Sequence, residues 1–167
     1  MFENFLKNAI CRHLTETRLF ISNLAEYSTL EELVEENVIL PDSIVLKIPV
    51  KDGRPLGEII LHMIRSIEYY ATGIATNKWV TLSYNLAEFS TTQKMLNLFD
   101  RVSEKTKKFL DNISEEMLSE QIDEFNRIAT KKEILLEMLE HSVHHRGQLS
   151  VYFRLLEIDP PSISYII

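Results

Sequence analysis

The segment His141-Ser142-Val143-His144-His145-Arg146-Gly147-Gln148 limits the fold more than any other stretch of this chain. It sits inside an apolar-periodic run from Ile134 to Leu156, and that spacing reads as one helix. On a helix His141 and His145 lie one turn apart on the same face, which Met138, Gln148 and Tyr152 continue. Imidazoles on the inward stripe of a core helix cost free energy unless their nitrogens find partners. A divalent metal is such a partner, because neutral imidazole is a common ligand. Two ligands do not complete a site, so another helix must supply a third. His62, about eighty residues upstream in a second apolar-periodic run, is the candidate.

Helix geometry allows two pairings within the segment. His141 can act with His145 (i, i+4) or with His144 (i, i+3). His144 and His145 point about 100° apart and cannot both face one ion. The stripe through Met138 and Tyr152 favours His145 and leaves His144 on the flank. Arg146 reads as the partner of a bundle carboxylate, with an anchor for an anionic substrate group as the sharper alternative. Gln148 is spaced to hydrogen-bond a ligand from behind, and Gly147 to permit close helix packing.

These residues resemble a known family. The motif HxxHHRGQ, followed by Val151-Tyr152-Phe153-Arg154-Leu155-Leu156, is similar to the last helix of the DinB/YfiT-like metalloprotein family. Leu56-Gly57-Glu58-Ile59-Ile60-Leu61-His62 is similar to the start of an earlier helix in that family. The resemblance runs from the first helix to about Pro161. It implies an all-α four-helix bundle, up-down-down-up, with long connections and assembled as a homodimer. It also implies that His62, His141 and His145 bind a divalent ion at one end of the bundle. Three imidazoles suit Zn or Ni, and Fe, Co and Mn remain open. The implied activity is that of a metal-dependent transferase, in which a low-molecular-weight thiol attacks a small electrophilic substrate. Two alternatives stand beside it. A hydrolase would need a carboxylate base, for which Glu58 and Glu137 are the nearest guesses. A non-catalytic metal-binding dimer would need a fourth protein ligand such as His13.

Composition agrees with this class. The chain has 167 residues and 45% apolar content, enough for one domain (1–167) with a real core. Only 4 glycines and 5 prolines favour helices over a turn-rich β fold. A net charge of −7 with scattered Lys and Arg shows no basic stripe for nucleic acid. The single Cys11 forbids an internal disulfide and suits a cytoplasmic location; it falls on a polar flank and reads as a bystander. No leader-like opening and no apolar stretch of about 18 residues is expected to engage a membrane.

The remaining expectations follow the chain. Phe2 to Leu24 reads as the first helix, with His13 on or beside its stripe as a partly buried structural histidine. Ala25 to Arg54 reads as a long connection with a short acidic helix at Glu31, Glu32, Glu35 and Glu36. Ile44 to Val50 reads as an extended segment over the bundle, walling the site or forming a dimer contact. Pro55 suits the first position of a helix that runs to Gly73 or Ile74, on which Tyr69 and Tyr70 read as core aromatics with a hydroxyl at the wet end, contact of Tyr69 with a substrate being the lesser alternative. Trp79, Tyr84 and Phe89 read as pinning the following loop to the bundle, with the lining of a pocket rim as the alternative. Ser90 with Gln93, and Thr130 with Glu133, read as capping boxes of the third and fourth helices. A helical turn is expected at Glu115 to Met117, and the apolar tail Ser162 to Ile167 packs back on the bundle or on a partner subunit.

Overall fold

The protein is described from a computed structural model, which covers residues 2–34 and 43–163. Four long helices form the bundle: α1 (Phe2–Val34), α2 (Leu56–Thr76), α3 (Thr92–Asp111) and α5 (Lys131–Leu155). A short helix α4 (Glu115–Ser119) and a two-residue antiparallel ladder, β1 (Gln121–Ile122) with β2 (Ala129–Thr130), connect the last two. α2 packs against α3 and α5, and α1 packs against the same two helices from the other side. The fold is all-α, as expected.

Each long helix buries an apolar stripe. On α2, Leu56, Ile59, Ile60, Met63, Ile64, Ile67, Ala71 and Ile74 are all buried. Phe20 of α1 and Phe153 of α5 meet in the core with ring centroids 5.5 Å apart. Each such side chain contributes about 1.5–3 kcal/mol by leaving water.

The helix ends differ from the sequence expectations in detail. α1 continues ten residues past Leu24, because no Gly or Pro lies between Phe2 and Val34 to stop it. Glu31 and Glu32 therefore belong to α1, while Glu35 and Glu36 lie outside the described residues. Ser43–Leu46 is a 3-10 turn and not extended chain; it buries Ile44 and Val45 against α2. Pro55 is the N-cap of α2, and its carbonyl accepts from Glu58 and Ile59. Asn77 closes α2 in the left-handed conformation, its N–H donating to Gly73 at 2.8 Å.

The cap of α3 is Thr91, which accepts from Lys94 N–H, so the expected Ser90–Gln93 box is displaced by one residue. The Thr130–Glu133 box on α5 forms in both directions. Trp79 pins the loop after α2 by lying over Gly73 between Tyr69 and Phe125, at 5.5 and 4.9 Å between ring centroids. Gly147 faces open space and serves no close helix approach. Ile163 packs on the core, and residues 164–167 lie outside the described part.

Candidate metal centre

α2 and α5 are neighbours, and their facing stripes bring His62 against His141 and His145. His141 Nε2 lies 3.3 Å from His62 Nε2 and 3.1 Å from His145 Nε2. All three rings are half-buried. Hydrogen bonding among themselves cannot satisfy this arrangement. His145 Nδ1 donates to Gln148 Oε1 at 2.9 Å, so His145 Nε2 carries a lone pair. His141 Nε2 holds at most one proton, and one proton cannot serve both neighbours. A cation shared by three lone pairs resolves the conflict. The spacing fits as well: metal–nitrogen bonds of tetrahedral zinc place neighbouring nitrogens about 3.3 Å apart. The donor set could therefore hold a metal ion. Among the described residues, His141 Nδ1 is buried without a hydrogen-bond partner.

Electrostatics keep the rings neutral near pH 7. Burial pushes His62 below its ordinary value, helped by His145, Arg65 and Arg54 and opposed by Glu58. Burial first, then the neighbouring histidines, take His141 down to about 4. Burial also lowers His145, against the Gln148 hydrogen bond, with His144 and Arg54 adding to the fall. Neutral imidazole is the ligand form, so these shifts reduce proton competition for the site.

His144 is exposed, its ring edge-on to His145 at 5.1 Å, and it stays outside the cluster. Tyr70, not Tyr69, is the tyrosine beside the triad, with its ring 6.4 Å from His141. Burial, with Glu137 and Tyr69 behind it, pushes the Tyr70 hydroxyl up, so it remains a proton donor at neutral pH.

His13 stands apart from the triad. It is 3% exposed and its Nδ1 accepts from Arg146 Nη1 at 2.8 Å. Because arginine only donates, His13 is the neutral tautomer with its proton on Nε2, which donates to Thr17 Oγ1 at 3.2 Å. Burial and the Arg146 charge take its pKa to about 3. The same guanidinium pairs with Glu16. Arg146 thus fills its structural role, turned into the bundle between α1 and α5. Glu58 is bonded to Arg65 at 3.2 Å, and Glu137 is paired with Arg127. Cys11 is a free, half-buried thiol outside the cluster.

A family model described as DinB family matches residues 10–166. This chain belongs to the DinB family. Among its curated relatives, the DinB chain is 29% identical over 110 residues to the uncharacterized protein YjoA of Bacillus subtilis strain 168, covering 64% of this chain and 70% of YjoA. It is 30% identical over 88 residues to the uncharacterized protein YizA of the same strain, covering 51% of this chain and 55% of YizA. The solved DinB-like structure of YjoA superposes with a TM-score of 0.60 at 22% identity, covering 92% of this chain and 99% of that one. A DinB-like protein from Bacillus cereus ATCC 10987 superposes at 0.67 and 16% identity, covering 95% of each. At these identities the structures carry the fold alone.

Sequence spacing identified the three histidines and the Gln148 contact. It missed the His13–Arg146 pairing, which joins residues far apart in the chain, although two polar residues at inward positions were a signal for such a contact. It also missed Tyr70 and Arg54 as neighbours of the triad.

Proposed function

We propose that this DinB-family protein is a metal-dependent transferase in which His62, His141 and His145 hold a divalent ion and a thiol is activated there against a small electrophile. The observation that carries the reading is the convergence of three Nε2 atoms from two helices. A divalent cation at such a donor set supplies a Lewis acid that stabilises a thiolate at neutral pH. The chain's own residues do the rest. Gln148 fixes the His145 tautomer and aims its lone pair. Burial keeps the rings neutral and ready to ligate. The Tyr70 hydroxyl stays protonated beside the site.

Two features favour transfer over the alternatives. Glu58 and Glu137, the carboxylates a hydrolase would draw on as base, are each engaged by an arginine. His13, the expected fourth ligand of a closed non-catalytic site, is bonded elsewhere. Among the described residues no fourth His, Cys, Asp or Glu joins the cluster, so an exogenous ligand has a position to fill. The test is to load the protein with Co(II) and titrate 2-mercaptoethanol. A sulfur-to-cobalt charge-transfer band should appear in the wild type and vanish in His145→Ala. Co(II) uptake without a band for any thiol overturns the thiol reading.

A further inference from the structure

The surroundings of the triad indicate the kind of ligand its mouth receives; this inference rests on the metal-and-thiol reading above. Nearby charges are mostly engaged. Glu58 bonds Arg65, whose guanidinium also donates to the Tyr84 carbonyl, Glu137 pairs with Arg127, and Arg146 turns inward to Glu16. Arg54 differs: it is exposed and makes no hydrogen bond or ion pair among the described residues. Its placement is built, not incidental. The preceding turn closes through Gly53 N–H donating to Val50 O at 2.9 Å, with Asp52 at φ 59°. That turn docks on α5, where the Tyr152 hydroxyl lies 2.9 Å from the point a Gly53 Cβ would occupy. Tyr152 continues the face of His141 and His145. On the other side, Leu56 N–H donates to Lys47 O at 2.9 Å and anchors the turn to the start of the helix that carries His62. Arg54 therefore follows a turn fixed against α5 and immediately precedes the start of α2, at the edge of the two helices that carry the triad.

We propose that Arg54 anchors an oxyanion group, carboxylate or tetrahedral, on the thiol or the electrophile that enters the His62–His141–His145 site. An unpaired guanidinium fork suits such groups through paired N–H donors. A Cβ at position 53 would meet Val50 O at 2.8 Å and the Tyr152 hydroxyl at 2.9 Å, so glycine lets the turn close against α5.

The test titrates Co(II)-loaded wild type, Arg54→Gln and Arg54→Lys with 3-mercaptopropionate, 2-mercaptoethanesulfonate and 2-mercaptoethanol, following the sulfur-to-cobalt band. Each comparison is made within one thiol, so the thiol's own acidity cancels. In Arg54→Gln the anionic thiols should bind up to about fivefold more weakly, the scale of one exposed ion pair. The neutral thiol and Co(II) uptake should be unchanged, Arg54→Lys should recover part of the loss, and added salt should shrink the difference. Whether the carboxylate or the sulfonate loses more tells a planar from a tetrahedral preference. Equal affinities for the anionic thiols in wild type and Arg54→Gln overturn the anchoring role alone. Absence of Co(II) uptake, or of any sulfur band, in the wild type overturns the reading beneath it and this proposal together.

Discussion

Lowering the pH from 7 to 5 interrogates the buried His13–Arg146 contact. His13 has a folded pKa of about 3, against an ordinary value of 6.5. The unfolded chain therefore binds a proton that the folded chain refuses. Stability from this group is fully present above pH 6.5 and is lost as pH falls from there towards 3. At pH 5 the unfolded histidine is almost wholly protonated and the folded one is not, which amounts to a loss of about 2 kcal/mol relative to pH 7. Gln at position 13 would still accept from Arg146 and donate to Thr17, yet cannot titrate. Urea unfolding of metal-free wild type and His13→Gln at both pH values isolates the effect, because the triad titrates in both proteins. The wild type should lose about 2 kcal/mol more than the variant between pH 7 and pH 5. Equal losses would refute the neutral, Arg-bonded His13.

Arg146→Ala leaves Glu16 and His13 without their shared donor, and urea midpoints should report a cost of about 3 kcal/mol, typical of a broken buried pair. Gln148→Ala releases the His145 tautomer, and metal titration should show affinity down by about tenfold with the helical signal unchanged. Gly73→Ala puts a Cβ 2.1 Å from Trp79 Cε3, so Trp79 must leave its seat between Tyr69 and Phe125 and its emission should shift to the red; unshifted emission would contradict that packing.

The helices and the triad were legible because each rests on local periodicity. The i, i+4 spacing of His141 and His145 places both on the stripe that Met138 and Tyr152 define, and α2 carries His62 on its own stripe. What was not legible depends on how distant segments meet. The His13–Arg146 contact spans 133 positions, and no periodicity encodes it. The turn that presents Arg54 has no repeating pattern; its position is set by the Gly53–Tyr152 contact and the Leu56–Lys47 hydrogen bond. The displaced cap at Thr91 shows a local ambiguity, since Ser90, Thr91 and Thr92 all offer a hydroxyl and only Thr91 accepts from Lys94 N–H among the described hydrogen bonds. The choice between Tyr69 and Tyr70 fell to Trp79, which occupies the Tyr69 side of α2.

The most direct measurement is metal content by elemental analysis on protein purified without a histidine tag. Wild type and His144→Ala should carry about one divalent ion per chain, and His62→Ala and His145→Ala should carry none. A wild type that holds no metal after incubation with Zn and Ni would contradict the central claim and return the three histidines to core packing.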